Sequence, residues 1–156
     1  MEIRKYRLGE ERAIWNIYYN TIHHVNTAHY SRDQIEAWAP VNLDESTWSG
    51  KIREIDPYIA VLNGIIVGYT SLQENGYIDH FFCHHEHLRK GVGSALFSFL
   101  EKEACQKNVS QLSADVSITA RPFFESKGFE IVKEQRVSLR GQEFTNYRMV
   151  REYAQN

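Results

Sequence analysis

The chain is poor in the residues that would place it among several classes of small or extended protein. Its 156 residues include two cysteines, three prolines and nine glycines. Cys83 and Cys105 are too few for a disulfide framework and lack the paired spacing of a zinc site, so both are expected as reduced thiols. With glycine and proline scattered, no linker, repeat or low-complexity tract divides the chain, and one domain over 1–156 is expected. No apolar run approaches the ~20 residues of a membrane span, and Met1-Glu2-Ile3-Arg4-Lys5-Tyr6 carries charge where the apolar stretch of a signal peptide would begin. A cytoplasmic protein with no membrane partner is the expectation. Nor does one charge predominate: 18 Lys+Arg stand against 20 Asp+Glu, which argues against a nucleic-acid partner whose phosphates must be neutralised.

What is present is core material, 42% hydrophobic and 13% aromatic side chains, and a chain of this length buries roughly 70% of its unfolded surface without staples. Ile3 to Tyr6 reads as a strand. Glu10 to about Val25 reads as a helix with Ile14, Ile17, Tyr18 and Ile22 on one face. Ser31-Arg32-Asp33-Gln34 has the form of a capping box, and its helix should stop near Trp38, before Pro40. From Tyr58 the period becomes two. Asn63-Gly64 and Asn75-Gly76 supply the positive φ angles of tight turns, so Tyr58–Leu62, Ile65–Thr70 and Tyr77–Cys83 form an antiparallel meander.

A helix from about Gly91 to Asn108 follows, then a strand at Leu112–Val116. Another helix, capped by Ser117 or Thr119, has Pro122 in its first turn and Gly128 at its end. Phe129–Arg136 and Gln142–Arg151 close the chain as strands around Arg140-Gly141. The order predicts an α/β (α+β) fold: a mixed, mostly antiparallel sheet of six to seven strands flanked by about four helices, with one parallel pair made by a strand–helix–strand crossover. A site is expected at the carboxyl end of that crossover.

The stretch Cys83-His84-His85-Glu86-His87-Leu88-Arg89-Lys90-Gly91-Val92-Gly93-Ser94 runs from strand through loop and two glycines into a helix. Glycines let a ligand approach the backbone, and the helix's first amides suit a phosphate or pyrophosphate. It lacks the Gly-Lys-Ser/Thr of a triphosphate loop and the third glycine of a dinucleotide fingerprint. Four histidines, His80, His84, His85 and His87, crowd the same region. Neighbouring strand residues point oppositely and Glu86 is the lone acid, so no metal site is expected.

This stretch resembles motif A of the GCN5-related N-acetyltransferase (GNAT) superfamily, Arg/Gln-x-x-Gly-x-Gly/Ala. Ala120-Arg121-Pro122-Phe123-Phe124-Glu125-Ser126-Lys127-Gly128-Phe129 resembles its motif B. Tyr30-Ser31-x-x-Gln34-x-x-Ala37-Trp38 is similar to the amino-terminal segment of the YafP/ElaA-like branch of small bacterial acetyltransferases. The resemblance implies the acyl-CoA N-acyltransferase fold with its fourth and fifth strands splayed, acetyl-coenzyme A as acetyl donor, and a small-molecule or peptide amine as acceptor. The donor's pyrophosphate would meet Arg89, Lys90, Gly91, Val92, Gly93 and Ser94, its arm Phe82, Cys83 and Ser117, and its acetyl oxygen an unpaired amide near Phe82 or Cys83. His23, His24, His29, Tyr30 and Trp38 become candidates for the acceptor wall, with His29, Tyr30 and Trp38 foremost.

Two departures from the family pattern matter. Leu88 opens motif A, leaving side-chain charge to Arg89 and Lys90, and Phe124 stands where the family has a proton-donating tyrosine. An ammonium has no lone pair, so some group must accept the acceptor's proton. Asp79 and His80 are the candidates; alternation places them on opposite faces of the strand, and burial would drive both the carboxylate and the imidazole toward their neutral forms. Cys83 has no partner base and is not assigned as a nucleophile. Phe124 keeps a second reading open, an acyl-CoA-binding module without catalysis. Oligomeric state is left open, a homodimer included.

Overall fold

The computed structural model describes residues 1–153. In chain order its elements are β1 (Glu2–Lys5), α1 (Glu11–His24), α2 (Arg32–Trp38), α3 (Glu45–Ile55), β2 (Tyr58–Leu62), β3 (Ile65–Thr70), β4 (Tyr77–Ile78), β5 (Phe81–Cys83), α4 (Val92–Gln106), β6 (Gln111–Ser117), α5 (Arg121–Ser126), β7 (Glu130–Leu139) and β8 (Gln142–Glu152). None of these helices is long and apolar enough to cross a membrane.

Local chemistry accounts for most boundaries. At α2 both halves of the capping box form, Gln34 N–H to Ser31 Oγ at 3.2 Å and Ser31 N–H to Gln34 Oε1 at 2.7 Å. Asn63 (φ 51°) and Gly64 (φ 78°) make the β2–β3 turn. The segment 39–57, for which the pattern predicts no element, contains a fifth helix. Asp44 caps α3 by accepting from Thr47 N–H at 3.1 Å, and Trp48 and Ile52, one turn apart, are its buried residues. Ser46, Thr47 and Gly50 are weak helix formers, so α3 draws its stability from that packed face rather than from propensity.

The second departure is at the line Tyr77–Cys83, which is two strands. β4 pairs in parallel with β6 through Tyr77↔Ser113 and Ile78↔Ala114, while β5 pairs with β3 on its other side. The chain therefore changes sheets at Asp79-His80, giving the orders β1-β2-β3-β5 and β4-β6-β8-β7. Beyond Ile78 the two sheets part, and a gap opens between β5 and the end of β6.

Two layers of helix cover this frame. Phe97, Leu100 and Ala104 of α4 pack with Leu112, Ala114, Phe129 and Met149. On the other layer Ile14 and Ile17 of α1 meet Trp48 and Ile52 of α3 over Ile59 and Tyr69. α4 lies close on β3 because Gly68 is there. A Cβ on Gly68 would sit 2.9 Å from Val92 Cγ1 and 3.0 Å from Leu96 Cδ1. This packing sets the start of α4 beside the gap.

Candidate active site

After β5 the chain makes a short 3-10 turn at His85–His87, extends at Leu88, and takes left-handed conformations at Arg89 (φ 60°) and Gly91 (φ 83°) before α4 begins. A non-glycine residue in that conformation costs roughly 1–2 kcal/mol, and here it turns the backbone amides of the loop together. None of the amides from Arg89 to Ser94 donates to a backbone carbonyl of the described residues. They stand at the positive end of the 15-residue α4, as an anion site requires. Gly93 has a packing reason as well: a Cβ there would meet the Phe123 ring at 3.0 and 3.2 Å. Lys127, at the end of α5, donates from Nζ to Ser94 Oγ at 3.0 Å and adds a cation to the loop.

From this loop a cleft of about 680 Å³ runs through the gap to the ends of α1 and α2 and the β7–β8 hairpin. Which strand amides face it follows from the ladder. His84 N–H donates to Val67 O and Ser71 N–H to His80 O, with Phe82 opposite Tyr69. Antiparallel alternation then directs the Phe82 amide at β3 and those of Phe81 and Cys83 into the gap. Thr21 of α1 closes one wall, its hydroxyl donating to Cys83 O at 2.7 Å.

Asp79 and His80 sit where the strand breaks, so the alternation expected of them does not hold and both line the cleft. Asp79 Oδ2 accepts from Lys51 Nζ of α3 at 2.9 Å, with side chains 22% and 38% exposed. His80 lies in an aromatic cage of Tyr18, Trp48, Tyr69 and Phe82, ring centroids 5.7 to 6.2 Å away. Burial lowers its pKa from 6.5 to about 4, against the opposing pull of Asp79. Tyr69 Oη lies 2.9 Å from His80 Nδ1, and burial holds the Tyr69 proton firmly in place. That hydroxyl has no other partner among the described residues, so it donates to Nδ1 and fixes the ring proton on Nε2.

The remaining expected residues divide cleanly. Phe82, Cys83, Arg89, Gly91, Gly93, Ser94, Ser117, Tyr30 and Trp38 line the cleft. Lys90 and His29 do not: Lys90 is exposed beside the loop, and His29 is held outside by Thr119, whose Oγ1 lies 2.9 Å from its Nδ1. Val92 is 2% exposed and belongs to the core with Ala60, Val67 and Leu96. Its side chain is spent on packing. His23 turns away to Ala39 O, and His24 stacks on His85. Among the described residues no three His, Cys, Asp or Glu side chains converge as metal ligands.

Tyr30 donates to Thr145 O at 2.7 Å and accepts from Ile118 N–H at 3.0 Å, tying the α1–α2 connection to β6 and β8. Burial pushes the Cys83 thiol up to about 11, far from thiolate character at neutral pH. Phe124 is buried among Phe81, Phe123 and Phe129 and offers no proton.

Three functional neighbours had weak or no sequence signal. Lys51 lies on the unpredicted helix. Tyr69 reads as ordinary strand core. Lys127 was visible only as the residue preceding Gly128.

An acetyltransferase (GNAT) domain family model matches residues 26–151. The chain is 41% identical over 149 residues, covering 96% of its own length and 94% of the relative's, to the uncharacterized N-acetyltransferase YafP of Escherichia coli strain K12. It is similar to the crystal structure of a GCN5-related N-acetyltransferase from Rhodopseudomonas palustris, with TM-score 0.92, 28% identity and coverage of 97% of this chain and 95% of that one. PaiA N-acetyltransferase of Thermoplasma acidophilum, solved in complex with coenzyme A, shares the fold at TM-score 0.77 and 15% identity, over 97% and 98% of the two chains. A match this long, with the glycine loop where motif A leads one to look, means that the chain belongs to the GCN5-related N-acetyltransferase (GNAT) family.

Proposed function

We propose that this enzyme transfers an acetyl group from acetyl-coenzyme A to a primary amine of a small molecule or peptide, by direct attack of the amine in a ternary complex. The observation that carries the reading is the row of amides from Arg89 to Ser94, without backbone partners, opening onto the gap between β5 and β6. The residues present fit the donor: Arg89–Ser94 and Lys127 for the pyrophosphate, Ser117 and the gap-facing amides of Phe81 and Cys83 for the arm and acetyl oxygen. Acetyl-coenzyme A supplies the activated acetyl group.

The chain's own residues handle protons and orientation. Asp79, at the acceptor end and partly exposed, takes the proton released by the amine, directly or through a water. Lys51 Nζ donates to the carboxylate at 2.9 Å and fixes its position. His80 presents Nε2–H as a fixed donor that orients the acceptor or the water. With Phe124 in place of a tyrosine, the departing thiolate takes its proton from solvent at the open side of the cleft. The acceptor half is walled by Tyr18, Tyr30, Trp38, Phe82, Leu139 and Phe144. Its carboxylates are already compensated, Asp79 by Lys51 and Asp115 by Arg148 at 3.0 Å and by Tyr77. The best acceptor is therefore a single amine on an apolar body rather than a polyamine. Phe124 is the one feature favouring a non-catalytic acyl-coenzyme A binder.

Following thiol release from acetyl-coenzyme A over a panel of monoamines, polyamines and peptides tests both readings. Turnover with an apolar monoamine is expected, and tight donor binding with no turnover on any acceptor would favour the binder. The loop makes its own prediction: Lys127→Ala should weaken coenzyme A binding about tenfold, as loss of one charge-assisted contact does, and the difference should shrink at high salt. Calorimetric titration of both proteins at two salt concentrations measures it.

A further inference from the structure

β7 is the end strand of its sheet, and every one of its ten residues but Gln135 is exposed. Such an edge is a template for another strand. Its free groups are set by the hairpin. Leu139 faces Gln142 across the two-residue turn Arg140 (φ 47°) and Gly141 (φ 81°), which makes them a hydrogen-bonded pair. Alternation then directs the backbone groups of Gln135, Val137 and Leu139 at β8, and those of Glu134, Arg136 and Ser138 outward.

An antiparallel strand from a second copy must set outward residue against outward residue, so the two-fold axis passes through a residue and not between two. Centred on Glu134, the pairing opposes that carboxylate to itself. Centred on Arg136, it opposes two guanidinium groups. Centred on Gln135, it sets Glu134 of each copy directly across from Arg136 of the other, twice by symmetry, with Lys133 opposite Val137. The register shift between Ile131 and Lys133 interrupts the β7–β8 ladder at Val132, and pairing resumes at Ile131↔Met149. Among the described residues of the single chain Arg136 reaches only Glu143, at 4.0 Å, with side chains 79% and 71% exposed, so it is free to exchange that partner. β7 thus carries a charge pattern that complements itself in the register centred on Gln135.

We infer that β7 is the seat of an isologous dimer, two copies pairing antiparallel along Lys133–Val137 about an axis at Gln135 and continuing the sheet β4-β6-β8-β7 from one copy into the other. Val137 and Leu139 line the cleft, so the interface adjoins the acceptor end of each site.

Sedimentation velocity of the full chain over a concentration series tests this. The wild type is expected to sediment as a monomer–dimer equilibrium reaching dimer at high concentration. Arg136→Glu places four carboxylates at the axis and should raise the dissociation constant at least about tenfold. Glu134→Arg combined with Arg136→Glu restores opposite charges in the same register and should bring the dimer back. Both positions are exposed, so all three proteins should share one melting temperature at concentrations where each is monomeric. A wild type that stays monomeric throughout the series, an Arg136→Glu protein that still dimerises, or a double swap that stays monomeric each overturns the proposal.

Discussion

Asp79→Asn is expected to lower kcat by roughly 100- to 10,000-fold, the range for removing a positioned acid or base, while leaving coenzyme A affinity within a factor of two. Asparagine keeps the size of the side chain and can still accept from Lys51 Nζ, now 2.9 Å from the carboxylate, so α3 stays docked. What it removes is the ability to take a proton. The amine then attacks only after losing its proton to bulk water, and the protonated fraction at neutral pH is unproductive. Along the chain Asp79 is separated from the Arg89–Ser94 loop by β5 and the following turn, and its side chain is engaged by Lys51 of α3. For that reason donor binding should not register the change. Thiol-release kinetics with an accepted amine, paired with calorimetric titration of coenzyme A, separates the two effects. A kcat within threefold of wild type would remove Asp79 from the mechanism; an equal loss in coenzyme A affinity would point instead to a collapsed cleft, which a lowered melting temperature would reveal.

The parts of this protein that are legible in its sequence are those whose cause is local. Asn63-Gly64 makes its turn by the conformations those two residues accept, the Ser31 and Gln34 side chains cap α2 by bonds within four residues, and the Leu88–Ser94 loop takes its form from glycines and a helix start. The long faces of α1 and α4 are likewise written in their spacing. The unread parts depend on distant partners. α3 has mediocre formers and exists because Trp48 and Ile52 find α1, with Trp48 Nε1–H donating to Glu11 O at 2.8 Å. The break at Asp79-His80 is invisible in Tyr77–Cys83, an apolar run that suits one strand. It is decided by competition between β3 and β6 for the same backbone. That break undoes the alternation argument for Asp79 and His80, and brings both into one cleft. Lys51 and Tyr69, the partners that set their chemistry, come from elements 28 and 11 residues away.

His80 makes stability depend on acid. In the folded protein its pKa is lowered to about 4, while in the unfolded chain it returns to near 6.5. Above pH 6.5 both states hold the neutral ring and the effect is nil. As pH falls from 6.5 toward 4 the unfolded chain takes up a proton that the folded one refuses, so stability is lost across that window and levels off below it. Relative to neutral pH the loss is about 3 kcal/mol by pH 4, a large share of the roughly 5–15 kcal/mol that holds a typical domain. The refusal has a structural cause beyond the aromatic walls. Protonation would put hydrogens on both ring nitrogens, and Tyr69, whose hydroxyl now donates to Nδ1, would have to turn its proton toward core with no acceptor. Asp79 favours the charged ring but is engaged by Lys51, whose own charge opposes it. Urea denaturation of the wild type and His80→Gln at pH 7.5, 5.5 and 4.5 isolates this contribution, because glutamine leaves Tyr69 an acceptor and does not titrate, and all other groups cancel in the comparison. The wild-type curve should fall more steeply by about 2–3 kcal/mol over that range; parallel curves would mean that the imidazole charges freely in place and that the Tyr69 bond does not hold it neutral.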